Sequence, residues 1–264
     1  MKLAAIQMVS TPVVAENCAR ARRLVAGAAA GGAQLVLLPE YWALMGMNET
    51  DKLAHAEAYG VGPIQQCLQD MARQHSIWLI GGTLPLQSPE AGKVLNTTLA
   101  YNPAGDCVVR YDKMHLFGFT RGEESYDESR TIAAGASVGF FEAPFGRVGL
   151  SVCYDLRFPE LYRALGDCAL IVVPAAFTWT TGQAHWEVLL RARAIENQCY
   201  VLAAAQGGEH RNGRRTWGHS MLIDPWGEVL SVLPEGEGLV SGELDPTRLA
   251  AVRESLPALR HRRL

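Results

Sequence analysis

Apolar positions along the chain recur with two periods that alternate from one segment to the next. Leu3 to Met8 reads as a strand, and Val14 to Ala30 as an amphipathic helix with Val14, Cys18, Ala21, Val25 and Ala28 on one face. Gly31-Gly32 ends that helix. Leu35-Val36-Leu37-Leu38 is wholly apolar and bounded by Pro39, as expected of a central strand covered on both faces. Pro63 to Gln74 predicts a second helix, Trp78 to Leu84 a strand, and Asn96 to Asn102 another. Pro103-Ala104-Gly105-Asp106 is a turn after which Val108 to Tyr111 pairs back. Val138 to Glu142 and Arg147 to Val152 flank the turn Pro144-Phe145-Gly146. The strand Leu170 to Pro174, the helix Ala184 to Asn197 and the strand Tyr200 to Ala205 continue the alternation. Ser220 to Asp224, Glu228 to Ser231 and Leu239 to Leu244 complete the strands, and a helix at Pro246 to Glu254 ends the body.

This order describes two comparable α/β halves with no linker, low-complexity tract or repeat. It predicts an α/β fold in which two mixed sheets pack face to face with helices outside, a four-layer α-β-β-α sandwich. One domain spanning 1–264 is expected, ending in a short basic tail, Arg260-His261-Arg262-Arg263. The stretch Met114 to Ala136 has weak periodicity, and a loop of that length inside a compact domain is usually functional.

Composition narrows the function. The 264 residues are 48% hydrophobic and 19% charged, enough apolar content for a sizeable core. Net charge is −3 with dispersed cations, which argues against a nucleic-acid partner. No run is long and apolar enough to cross a membrane, and Met1-Lys2 leads into a strand rather than a signal peptide. The six cysteines show no CxxC pair, which points to reduced thiols in the cytoplasm. The seven histidines are equally scattered, so a metal site has no support.

One cysteine stands apart. Val148, Leu150 and Val152 alternate as a buried strand end, the pattern stops at Cys153, and Pro159-Glu160-Leu161-Tyr162 has the makings of a helix's first turn. A thiol at such an elbow has helical N–H donors nearby, which lowers its pKa and offers donors to an oxyanion. A buried structural cysteine is the alternative. A nucleophile needs a base, and three residues offer one or support one: Glu40, presented past Pro39 at a strand's carboxyl end; Lys113, at the end of the hairpin strand; and Glu128, in the long loop. Each alone reads equally as a surface charge.

Together, Leu37-Leu38-Pro39-Glu40, Tyr111-Asp112-Lys113-Met114-His115-Leu116 and Val152-Cys153-Tyr154-Asp155-Leu156-Arg157-Phe158-Pro159-Glu160 strongly resemble, in this order, the nitrilase superfamily of carbon–nitrogen hydrolases. By that resemblance Cys153 is the nucleophile, Glu40 the general base, Lys113 the electrostatic partner and Glu128 a supporting glutamate. The segments Phe177 to Glu187, Trp217-Gly218-His219-Ser220 and Asp224-Pro225-Trp226-Gly227 look most like the Nit-type amidases. Within those the branch acting on deaminated glutathione is nearest, and the ω-amidase branch, acting on α-ketoglutaramate and α-ketosuccinamate, is its neighbour. The implied activity is hydrolysis of a terminal carboxamide on a small carboxylate-bearing substrate with release of ammonia, needing no cofactor. A nitrile hydrolase fits less well, and a non-catalytic binding protein on the same fold is the rival of another class. Tyr154 and Arg157 beside the nucleophile, and Thr178 and Trp179 after Pro174-Ala175-Ala176, are the candidate substrate-binding residues. Arg157 suits a substrate carboxylate or an internal pair with Asp155 or Glu160. His115, His185 and His219 read as structural. A homodimer packed around the elbow helix and the helix at Ala184 is also implied.

Overall fold

The computed structural model describes residues 1–122 and 124–263. The first half contributes β1 (Lys2–Gln7), α1 (Val14–Ala30), β2 (Leu35–Leu37), a single turn α2 (Asp51–Ala54), α3 (Pro63–His75), β3 (Trp78–Ile80), β4 (Leu84–Gln87), β5 (Val94–Tyr101) and β6 (Cys107–Asp112). The small hairpin β7 (Gly118–Arg121) and β8 (Glu124–Asp127), then β9 (Ile132–Ala133), lead into the second half. That half contains β10 (Gly139–Ala143), β11 (Gly146–Leu150), α4 (Pro159–Ala164), β12 (Leu170–Ala175), α5 (Trp179–Asn197), β13 (Tyr200–Ala205), β14 (Ser220–Ile223), β15 (Val229–Leu233), β16 (Gly238–Glu243) and α6 (Pro246–Ser255).

One sheet runs β16-β1-β2-β3-β5-β4, with β6 and β9 also paired to β5; the other runs β10-β11-β12-β13-β14-β15. The central strands are parallel in both, β1-β2-β3 and β11-β12-β13, and antiparallel strands flank them. Strand period two divides the side chains between layers. Leu3, Ala5, Leu35, Leu37 and Ile80 face the second sheet and join its core, whereas Ala4, Ile6, Val36, Leu38 and Leu79 face outward and pack with α1 and α3. Trp186, Leu190 and Ala194 of α5 cover the other sheet. The result is the α-β-β-α sandwich.

Three local readings change. The strand expected over Trp78 to Leu84 breaks at Gly81-Gly82, where Gly82 has φ +51° and its Cα passes so close to Pro39 that a Cβ would meet the Pro39 carbonyl oxygen at 2.0 Å. Only glycine fits there, and the contact fixes the segment that carries Glu40. The helix expected from Ala184 begins at Trp179, because Thr178 caps it through its side chain, accepting from Thr181 N–H. The stretch from Met114 to Ala136 holds β7, β8 and a 3-10 turn over Glu128–Arg130 rather than irregular loop alone.

Candidate active site

Glu40 follows β2, Lys113 follows β6, Glu128 opens the turn after β8, and Cys153 follows β11, so four separate segments deliver one cluster. Glu40 is 1% exposed, Lys113 0% and Cys153 7%. Lys113 Nζ donates to Glu40 Oε1 at 2.9 Å and to both oxygens of Glu128, at 3.1 and 2.8 Å. The ammonium's three donor directions are therefore all engaged by carboxylate. Glu40 is held from two further sides: Asn96 Nδ2 donates to Oε1 at 2.9 Å and Ala176 N–H to Oε2 at 2.8 Å. Glu128 accepts from Tyr41 Oη at 2.8 Å and from Phe117 N–H at 2.8 Å. No group of three or more potential metal-ligating side chains occurs among the described residues.

Electrostatics set the protonation states. Burial alone would discharge Lys113, but the charges of Glu128 and Glu40 outweigh it and hold the ammonium well above the ordinary lysine range. Burial would likewise raise Glu128, but Lys113 and the hydrogen bonds to Phe117 and Tyr41 bring it below its usual value. Cys153 departs from expectation. Its thiol is pushed well above the ordinary cysteine range, first by burial and then by the Glu40 charge, and Lys113 only partly offsets this. The helix expected to lower it starts at Pro159, and the residues between form a 3-10 turn, Cys153–Arg157. The Cys153 side chain therefore stays a neutral thiol beside Glu40.

The elbow itself is under backbone strain. Cys153 has φ +49°, and Tyr41, directly after Glu40, has φ +55°. Each such residue costs on the order of 1–3 kcal/mol and persists only where the surroundings over-determine it. At Cys153 that support comes from Asp155, fully buried, which accepts from Val152 N–H at 2.8 Å, Tyr111 Oη at 2.7 Å and His115 N–H at 3.0 Å. His115 also meets Asp155 through Nδ1 at 2.7 Å and stacks on Phe158. His115 is structural here, as expected.

Over Cys153 lies a small cup of about 190 Å³ that includes Phe117, Tyr154, Phe177 and Thr178. Two of the four proposed binding residues thus share a wall with the thiol. Arg157 pairs with neither Asp155 nor Glu160; its guanidinium lies over the rings of Tyr154 and Phe177 and meets His185 Nδ1 at 3.2 Å, at the cup's rim. Trp179 is placed apart, edge-on to Trp217 with Arg215 stacked on its face. Tyr41, Asn96 and Asp155 were missed by sequence reasoning. Tyr41 and Asp155 had one legible signal, nearness to Glu40 and to Cys153; Asn96 had none beyond being polar within apolar surroundings.

Fold and site together define a carbon–nitrogen hydrolase with a cysteine at the elbow of its second half. Residues 2–254 match the carbon-nitrogen hydrolase family, and the chain belongs to it. A deaminated glutathione amidase from Synechocystis is 45% identical over 98% of this chain and 97% of its own length. The human omega-amidase NIT2 is 38% identical over 99% of this chain and 95% of its own. The NitFhit protein of C. elegans superposes with a TM-score of 0.90 at 38% identity; the match covers 99% of this chain but 65% of that longer one.

Proposed function

We propose that the chain hydrolyses the amide of deaminated glutathione, with Cys153 as nucleophile, Glu40 as general base and acid, Lys113 as oxyanion partner and Glu128 as the group that fixes Lys113. The observation that carries the substrate is the 45% identity, over nearly full length, to a deaminated glutathione amidase. The convergence of the four side chains in one buried cluster supports the roles.

A neutral thiol beside a carboxylate suits a concerted start. Glu40 takes the Cys153 proton as sulfur adds to the carbonyl carbon, so no resting thiolate is needed. The developing oxyanion is met by the Tyr154 N–H and by the Lys113 ammonium once it turns one of its two Glu128 hydrogen bonds towards the new charge, each such donor being worth about 3 kcal/mol. Protonated Glu40 then gives its proton to the departing nitrogen, and later draws one from the water that opens the thioester. Arg157, at the rim, suits the carboxylate of the acyl group.

The nature of the departing nitrogen needs correcting. In deaminated glutathione the γ-amide joins the keto acid to cysteinylglycine, so the leaving group is a peptide amine. Ammonia is released only from primary carboxamides such as α-ketoglutaramate. That second reaction is the alternative, favoured by the 38% identity to omega-amidase NIT2. A reducing, cytoplasmic setting suits six unpaired cysteines, and a homodimer built on α4 and α5 would cover Val188 and Ile195, both exposed.

The test is kcat/KM on deaminated glutathione and on α-ketoglutaramate, with Cys153→Ala as control. Preference for the first with no turnover by the variant is expected. Full activity of Cys153→Ala, or a large preference for α-ketoglutaramate, would overturn the roles or the substrate respectively.

A further inference from the structure

Among the described residues, arginines that lie over aromatic rings also pair with a carboxylate, with one exception. Arg110, Arg147, Arg193, Arg214 and Arg215 each cover a ring and each pair with an aspartate or glutamate. Arg157 covers two rings, lying 5.6 Å from the centroid of Tyr154 and 5.2 Å from that of Phe177, and no carboxylate of the described residues pairs with it. Its polar partner is His185, whose Nδ1 accepts from Arg157 Nη1 at 3.2 Å. The Nε–Nη2 edge of the guanidinium engages none of the described residues. Tyr154 and Phe177 line the cup together with Cys153, so a cation with an unneutralised charge and an open planar edge stands at the rim of that cup.

The choice of partner matters. Arginine only donates, so the ring nitrogen that meets it carries no proton, and the imidazole proton sits on Nε2. His185 thus holds the guanidinium as an uncharged acceptor. A carboxylate in its place would hold Arg157 as firmly, but would also neutralise it and compete with an anionic ligand. The fold fixes where His185 stands. It lies on α5, whose capping Thr178 lines the cup. Trp186, the next residue, is fully buried, packs on Phe177 with ring centroids 4.9 Å apart, and donates Nε1 to the His219 carbonyl at 2.9 Å. The helix is thereby pinned to one of the rings that Arg157 covers.

We propose that His185 is a positioning residue for substrate recognition: it aims the Arg157 guanidinium at the carboxylate of the acyl group without neutralising it. The inference rests on the reading of an α-ketoglutaryl acyl group, which deaminated glutathione and α-ketoglutaramate share. With the amide carbon at Cys153, the carboxylate at the far end of that chain lies at the rim and takes the open edge of Arg157. His185 touches neither that carboxylate nor the reacting atoms, so its loss is read in KM rather than kcat.

The test compares α-ketoglutaramate with levulinamide, the same amide with its carboxylate replaced by methyl, using the full chain and kcat/KM. The native enzyme should prefer the acid. His185→Leu should lower that preference roughly tenfold, mainly by raising KM for α-ketoglutaramate. His185→Asn, whose Oδ1 falls near the place of Nδ1, should keep most of it. His185→Glu should lower it further than His185→Leu, because the new carboxylate competes with that of the substrate. In an Arg157→Met background, His185→Leu should change the preference no further. The proposal is overturned by a native enzyme indifferent to the carboxylate, or by an acid preference unchanged in His185→Leu or His185→Glu. A full effect of His185→Leu in the Arg157→Met background would overturn it equally. A native chain that hydrolyses neither these amides nor deaminated glutathione would sink the amidase reading on its own. Without turnover of these amides, calorimetric binding of α-ketoglutarate decides the proposal: weaker binding in His185→Leu, recovered in His185→Asn, supports it, and equal binding in native protein and both variants refutes it.

Discussion

Replacing Glu128 by Gln removes one negative charge from a buried cluster at constant size. In the native site two carboxylates face one ammonium, and Glu128 accepts four hydrogen bonds, two from Lys113 and one each from Tyr41 and Phe117. Glutamine keeps one carbonyl oxygen. Whichever way its amide turns, the NH2 confronts Lys113 together with either Phe117 N–H or Tyr41 Oη. The Tyr41 hydroxyl can rotate to accept, so that orientation should be adopted, with one Lys113 bond lost and the other weakened. Charge-assisted bonds are worth about 1.5–3 kcal/mol each. Breaking a buried pair outright costs about 3–5 kcal/mol, and Lys113 retains Glu40 here. We therefore expect a loss of about 2–4 kcal/mol at neutral pH, measured by urea unfolding. The acid limb supplies the sharper check. Because the folded state holds Glu128 below its ordinary value of 4.5, its contribution is fully present above that value and fades as pH falls through the lower one. The two proteins should thus converge in stability on acidification. A difference below about 0.5 kcal/mol at neutral pH, or one that is constant into acid, would refute the reasoning.

Three further outcomes are expected. Site-resolved alkylation of Cys153 should be slow at neutral pH and still rising past pH 9.0, because the thiol's pKa lies above that ordinary value; a plateau below it would mean a resting thiolate. Gly82→Ala should cost more than about 3 kcal/mol in thermal or urea unfolding and abolish amide hydrolysis, since its Cβ would meet the Pro39 carbonyl oxygen at 2.0 Å and displace Glu40. Gly92→Ala, with positive φ but nothing within 4 Å, should cost only about 1 kcal/mol; equal losses in the two would show that strain, not contact, governs Gly82. Asp155→Ala leaves Val152 N–H, His115 N–H and Tyr111 Oη without their buried acceptor, and should lower stability by about 3 kcal/mol or more. Retention of native stability would mean that the elbow is held by its chain neighbours alone.

Much of this protein was legible in its sequence. The runs Leu3 to Met8 and Leu35 to Leu38 and the helical face of Val14 to Ala30 announced the first strands and helix, but a wholly apolar strand does not say which of its side chains face the second sheet and which the helices; only the packing divides them. The three motif segments singled out Glu40, Lys113 and Cys153 only together, through their resemblance to the nitrilase superfamily, since each alone reads equally as a surface charge or a structural cysteine. Other features had no local signal. Glu128 looked like a loop charge until Lys113, Tyr41 and Phe117 were seen to close around it. Cys153 was expected to have a lowered pKa from its place before a helix, yet it is raised, because a pKa answers to total burial and to Glu40, 113 residues away in the chain. Local patterns fix an element and the face it buries; the charge a side chain carries, and what it can bind, depend on neighbours that only the folded sheets bring within a few ångströms.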